Sequence, residues 1–203
     1  QDDLVFEAAP EALDPTERVL LDITRSDGRL IAVGASGLII LSDDSGKSWR
    51  QASVPVSATL TAVDFPVPEH GWAVGHAGVI LHSADGGETW QRQFDGRDAN
   101  AALLDYARAQ RERLEAELLA LEANDEASAE AIDDLVYRVE DATFLEEDAQ
   151  LAIETGPADP LLDVAFLDGQ RGFAAGAYGM LLRTDDGGES WEIAIDGLDN
   201  PNR

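Results

Sequence analysis

A chain of 203 residues, 44% hydrophobic and 27% charged, is long enough for one or two domains with a buried core, which excludes disorder along its whole length. Its 41 acidic against 14 basic residues give a net charge of −27, whose field repels phosphate backbones and anionic lipid; nucleic acid and bare membrane are excluded as partners, whereas a salt-rich setting or a basic protein partner suits it. Cysteine is absent, so disulfide, thiolate-metal and cysteine-nucleophile chemistry are excluded, and no run approaches the roughly 18 apolar residues of a membrane span, so direct membrane insertion is not expected.

The chain opens on Gln1 rather than Met, and we read it as processed there, by removal of a signal peptide or by the choice of expressed segment. Residues 1–17 form an N-terminal segment with a strand-like piece, Leu4-Val5-Phe6, followed by a connector bearing Pro10 and Pro15. A repeated unit then begins, over 18–55 and again over 56–97. In the first unit turn signals separate four short runs: about Val19 to Thr24, Arg29 to Gly34, Leu38 to Ser42 and Ser48 to Ala52.

The second half of each unit aligns without a gap. Ile31-Ala32-Val33-Gly34-Ala35-Ser36-Gly37-Leu38 matches Trp72-Ala73-Val74-Gly75-His76-Ala77-Gly78-Val79 and Phe173-Ala174-Ala175-Gly176-Ala177-Tyr178-Gly179-Met180. Each copy continues into an eight-residue box: Ser42 to Trp49, Ser83 to Trp90 and Thr184 to Trp191. A hydroxyl, an Asp two places on and a later Gly tie a tight turn, because these side chains bond nearby amides and Gly accepts positive φ. The boxes are turns first.

Trp49 and Trp90 are 41 residues apart, but Trp90 and Trp191 are 101 apart, so roughly 60 residues intervene before the third unit, 159–197. The insertion, 98–158, is rich in Ala, Leu, Glu and Arg, which favour helix. Leu103, Ala107, Leu114, Leu118 and Leu121 follow one helical face, and Ile132, Leu135, Val136 and Val139 another after the polar break Glu122 to Ser128. The spacing predicts a helical hairpin of about seven and five turns. Residues 198–203 are read as a linker toward a further blade.

A period near 40 built from four strands is that of a propeller blade, whose neighbours bury each other's faces. The expected fold class is therefore all-β, three four-stranded blades of a larger propeller, with an inserted α-helical hairpin. The remaining blades would come from further sequence or from a second copy, because three blades leave long strand edges open. In such a blade the first and third turns share one end, while the second turn and the crossing to the next blade share the other. The boxes and the insertion then fall on opposite rims.

The pattern Ser/Thr-x-Asp-x-Gly-x-Ser/Thr-Trp, kept in all three copies, resembles the Asp-box or bacterial neuraminidase repeat. The run from Trp72 to Trp90 is similar to the photosystem II stability and assembly factor family of propellers and its secreted, non-photosynthetic bacterial relatives. That resemblance covers Val19 to Phe94 and Pro160 to Ile195. It implies a scaffold or assembly partner of a membrane protein complex in a lumen or periplasm, without chemistry of its own, and bacterial relatives suggest envelope transporters of the resistance-nodulation-division type. Photosynthetic members present a basic patch to their client, which this acidic chain does not copy.

The structural Asp-box residues are Ser42, Asp44, Gly46 and Trp49; Ser83, Asp85, Gly87 and Trp90; and Thr184, Asp186, Gly188 and Trp191. Asp44, Asp85 and Asp186 resemble fragments of calcium loops but offer too few oxygens at the required spacing, and the repeated tryptophans read as blade core. A sialidase would need a Tyr nucleophile, an Asp acid/base and an Arg triad; Tyr106 and Tyr137 fall in the helices, only Tyr178 is on a blade, and no Phe/Tyr-Arg-Ile-Pro segment occurs. His70, His76 and His82 have no ligand-type counterparts in the other repeats and are read as surface or turn residues.

No catalytic, cofactor or metal residue is therefore expected. The candidate partner face is the rim opposite the boxes, marked by Ser36, His76 and Tyr178, with the helical stripe Leu114, Leu118 and Val136. The expected function is a non-catalytic, periplasmic or otherwise exported propeller scaffold for a membrane protein complex. The alternative is a carbohydrate-binding or sialidase-like propeller.

Overall fold

A computed structural model describes residues 2–156 and 159–194 and divides into two compact units, Gln1–Gly96 with Pro157–Arg203, and Arg97–Gly156. Residues 198–203, read as a linker, and the last residues of the third repeat lie outside the described residues. In the first unit the repeats fold as three four-stranded antiparallel sheets, each joined in simple sequence order. They comprise β1 (Leu20–Ser26), β2 (Arg29–Gly34), β3 (Ile39–Ser42) and β4 (Arg50–Gln51); then β5 (Leu60–Asp64), β6 (Gly71–Gly75), β7 (Ile80–Ser83) and β8 (Gln91–Phe94); then β9 (Leu161–Phe166), β10 (Gly172–Gly176), β11 (Leu181–Thr184) and β12 (Glu192–Ile193). β1 lies beside β5, and β5 beside β9, so the sheets radiate from their first strands as consecutive propeller blades.

Alternation along the strands decides which neighbour each side chain meets. Ile31, Val33, Ile39 and Leu41 point from blade 1 into a buried cluster with Val63, Phe65, Ala73, Val79, Leu81 and Trp90 of blade 2. Ala32 and Ile40, one place along, point the opposite way and pack with Leu38 and the half-buried Trp49. At the next joint Trp72 lies flat on Phe166, ring centroids 3.6 Å apart, and its indole N–H reaches the carbonyl of Gly187. Inner strands are also tied through carboxylates: Val63 N–H donates to Asp22, and Phe166 N–H to Asp64.

One substitution between repeats is explained by volume. In blades 2 and 3 a glycine opens the second strand, and a Cβ there would stand 2.2 Å from the Phe65 ring at Gly71 and 2.6 Å from the Phe166 ring at Gly172. These rings meet the box tryptophans edge-on, Phe65 with Trp90 and Phe166 with Trp191. Blade 1 carries Leu30 at the glycine position and Arg25 at the phenylalanine position, so a side chain on one strand replaces the ring from the other.

The N-terminal segment corrects the expectation of a strand. Asp2–Val5 form a 3₁₀ turn; Ser57 N–H donates to the Leu4 carbonyl, and Val5 is buried among the side chains of blades 1 and 2. Phe6 lies under the Arg92 guanidinium, 4.4 Å from ring centroid to carbon. The segment seals a core instead of extending a ladder.

The second unit is an antiparallel pair, α1 (Gly96–Glu122) and α2 (Ala129–Thr155). Ser128 caps α2 by accepting from Ala131 N–H, and Gly156, at φ 85°, ends it. α2 is longer than the five turns expected, because the buried face continues through Ala142 and Ala149, small residues that carry the helical period without a strong apolar signal. Leu114, Leu135 and Ala142 form the core with Leu118, Leu121 and Val139, and Arg111 and Arg108 of α1 both pair with Glu146 of α2.

Leu81→Ala, at a fully buried inter-blade position, is expected to cost about 2–5 kcal/mol in urea unfolding, and Leu21→Ala, at a half-exposed one, about 0.5 kcal/mol. Gly71→Ala should cost about 1–3 kcal/mol because the Phe65 ring must move.

Candidate functional site

Each box brings two or three carboxylates into a single turn. Ser42 Oγ accepts from Gly46 N–H and donates to Asp44 Oδ1, 2.8 and 2.9 Å. Asp44 Oδ1 also accepts from the amides of Lys47 and Ser48, while Oδ2 takes the Ser48 hydroxyl at 2.6 Å. The second and third boxes repeat the web through Ser83, Asp85, Gly87 and Thr89, and through Thr184, Asp186, Gly188 and Ser190. The two turn residues adopt positive φ, Ser45 and Gly46 in the first box and paired glycines in the others. Each aspartate is thus engaged by its own turn.

That engagement sets its acidity. Hydrogen bonds, first from Ser48, hold Asp44 down at about 2, and Ser190 with Thr184 does the same for Asp186, also about 2. At Asp85 burial opposes ionisation, yet the bonds from Thr89 and Ser83 win and its pKa is lowered. The boxes also clasp neighbouring blades. Arg29 reaches the Gly86 carbonyl and pairs with Asp43 and Glu88, while Arg50 bridges Asp43 and Glu88. At the next joint Trp72 and Gln93 both donate to the Gly187 carbonyl.

The boxes share their rim with the first turn of each blade, since Gly86 N–H donates to Glu69 and Gly187 N–H to Gln170. The other rim carries three equivalent tight turns, Ala35–Gly37, His76–Gly78 and Ala177–Gly179. In each, the second residue has positive φ, Ser36 at 58°, Ala77 at 58° and Tyr178 at 54°, and a glycine follows. Both central residues are left-handed, as a two-residue hairpin that follows strand twist requires. At Gly78 a Cβ would also stand 2.7 Å from Gly96, the last residue of the blade unit and the first of α1. The returning chain reaches the same rim, where Ala177 N–H donates to Pro160. Both attachment points of the insertion therefore lie on the rim opposite the boxes.

Ser36, His76 and Tyr178 are exposed on that rim, Tyr178 at 79%. Ser36 and Tyr178 are strict equivalents, whereas His76 stands one place earlier, where the other blades have Ala35 and Ala177. A shallow groove beside Ser36 is lined by Pro10, Ala12, Arg18, Val19, Ala35 and Leu38. Tyr178 holds a strained backbone angle for a bulky residue, which places its ring at the tip of the turn.

The helical part of the expected face is corrected. Leu114 is buried and Leu118 packs beside it in the core of the hairpin, and Val136 is half-buried, because two antiparallel helices turn their apolar stripes toward each other. The reading of the histidines is corrected as well. His76 is an exposed turn residue, but His70 Nδ1 and His82 Nε2 are 3.1 Å apart, and the half-buried His82 ring stacks on Trp72. Burial, and then the proximity of His70, lowers the His82 pKa. Among the described residues no group of three or more His, Asp or Glu converges on a point.

Sequence reading also missed the Arg29–Asp43–Arg50–Glu88 network, which joins residues of two blades. Its signal was present only as Arg29, which the third repeat matches with Arg171, and as Arg50 just after the first box, where the other repeats have Gln91 and Glu192.

Comparison with known proteins agrees with the geometry. Residues 43–107 match the model of a family described as photosynthesis system II assembly factor YCF48, a span running from the first box through the second blade into α1. A solved structure of YCF48 bound to D1 peptide is similar, with a TM-score of 0.52 and 16% identity, over 92% of this chain and 43% of that one. A structure of YCF48 from Cyanidioschyzon merolae is similar with a TM-score of 0.51 and 18% identity, over 92% and 42%. The likeness at these identities is one of fold, and the chain spans less than half the length of either structure. No curated protein matches it.

Carbon-13 carboxyl titration should show Asp44 and Asp186 ionised down to about 2. Their contribution to stability is complete above the ordinary Asp value of about 4 and is lost as pH falls through about 2. His82 works at higher pH: the unfolded chain takes up a proton near pH 6.5 that the folded ring resists, so its share of stability falls as pH drops below that value. Relief of the chain's acidic self-repulsion acts in the opposite direction, so the measured quantity is the difference in chemical denaturation between pH 7 and pH 5 for wild type and His82→Phe. The variant should lose less, or gain more, on acidification.

Proposed function

We propose that this chain is part of a non-catalytic propeller scaffold that holds a segment of a membrane protein complex as an assembly or accessory factor. The observation that carries this reading is the division of labour between the rims: one is consumed by hydrogen bonds within its own turns and clasps, while the other presents Ser36, His76 and Tyr178, different side chains on one repeated backbone. Variation on a fixed frame suits recognition of a protein segment. The similarity to assembly-factor propellers, one of them bound to D1 peptide, supports the same reading.

The finer terms of the proposal are these. The client is a membrane complex, an envelope transporter of the resistance-nodulation-division type among the candidates, met in a periplasm or another exported compartment. Further blades, from additional sequence of the same protein or a second copy, cover the open face of blade 1, where Ile23 is 55% exposed although its counterparts Val63 and Val164 are buried.

The test is site-specific photo-crosslinking in the native envelope with the full-length protein. A benzophenone amino acid replacing Ser36 or Tyr178 should capture a subunit of an integral membrane complex, and the same probe replacing Lys47, on the box rim, should not. Capture from Lys47 alone, or hydrolysis of a sialoside by the full-length protein, would overturn the reading.

A further inference from the structure

The outward side of α2 carries a seam that the hairpin core does not use. Tyr137, Phe144 and Leu151 are 69%, 66% and 55% exposed. They are spaced by seven residues, so they fall on one side of the helix and span about 21 Å along its axis. On a helix surface the neighbours of each lie three and four residues away. Those positions are Asp133, Asp134, Glu140, Asp141, Glu147, Asp148, Glu154 and Thr155, seven carboxylates and one hydroxyl, all exposed. Among the described residues none of the seven has an ion-pair partner; the one acid of α2 that pairs, Glu146, faces α1. Arg138 is the sole cation of α2.

We infer that this face docks a basic amphipathic helix of a protein partner, its apolar residues laid on Tyr137, Phe144 and Leu151 and its Lys and Arg side chains on the two acidic borders. Periodicity specifies the secondary structure of the partner: one apolar contact per heptad, about 10 Å apart, meets a second helix in register, whereas an extended strand repeats at about 6.8 Å. Charge specifies its sign. A second copy of α2 would bring seven carboxylates against seven, and an anionic lipid surface would be repelled by the same borders. Three isolated apolar side chains bury too little for tight binding alone, so association depends on the charged rows and weakens with salt. This inference deepens the scaffold reading and rests on it only in expecting a protein partner.

The experiment uses the full chain and a fluorescein-labelled designed helical peptide of about 20 residues, with Leu at every seventh position and Lys or Arg at the flanking ones. Fluorescence anisotropy at about 50 mM NaCl should give a dissociation constant on the order of 1–10 µM, weakened ~10-fold or more at about 500 mM. Replacing the three seam residues together, Y137S/F144S/L151S, should weaken binding ~10-fold with unchanged helical circular dichroism, and D141K/D148K should do likewise. A peptide keeping the Leu seam but carrying Glu at the flanks should not bind. The inference is overturned if the basic peptide fails to bind at low salt, if Y137S/F144S/L151S binds it as the wild type does, or if the acidic peptide binds equally. It is also overturned if vesicles of phosphatidylglycerol bind the chain through this face, or if sedimentation shows self-association that the triple variant abolishes. None of these readouts depends on the client sought by crosslinking, so the two readings can fail separately.

Discussion

Each blade of this protein is apolar on both faces, and a sheet four strands wide cannot cover itself. Everything else in the blade unit follows from that condition. Ile31 and Ala32 are adjacent in sequence and bury toward opposite neighbours, so a blade is stable only as the middle of a sandwich. The box tryptophans serve the same end: Trp90 and Trp191 fill the joint with the preceding blade, each met edge-on by a phenylalanine that exists only where a glycine leaves room for its ring. The Asp-box hydrogen bonds fix the turn that delivers each tryptophan, and in doing so they engage both oxygens of the box carboxylate.

Variation between the repeats is thereby displaced to positions the sandwich does not need. The tight turns on the far rim are held by backbone bonds, Gly34 to Leu38, Gly75 to Val79 and Gly176 to Met180, and these place no demand on the side chain at the tip. That side chain is free to vary from Ser to Ala to Tyr. The insertion obeys the same economy, because the blade residues that lead into it and out of it, Gly96 and Pro160, lie at this rim.

Much of this was legible in the sequence, and the reason is repetition. Three in-register boxes define strand order, turn position and the opposition of the rims, because a period of about 40 residues has few four-stranded solutions. Single elements were less legible. Leu4-Val5-Phe6 has strand composition but only one side chain with a cavity to fill, and it coils into a 3₁₀ turn to place Val5 there. α2 runs past the stripe of Ile132, Leu135, Val136 and Val139 because its buried face continues on the alanines Ala142 and Ala149, and the seam of Tyr137, Phe144 and Leu151 went unread because one apolar residue per heptad is too sparse to register as a face. The His70–His82–Trp72 stack needed strand pairing to be visible, since Trp72 opposes His82 only across β6 and β7.

The two joints between blades are built from different materials. The first is held on its box rim by the ring of Arg29, Asp43, Arg50 and Glu88, and the second by flat contact of Trp72 on Phe166 with two neutral donors on one carbonyl. Ions in solution screen the former and leave the latter untouched. As ionic strength rises, the rim clasp of the first joint therefore weakens, while the apolar cluster of Ile31, Val33, Ile39 and Leu41 against blade 2 and the neutral contacts of the second joint persist.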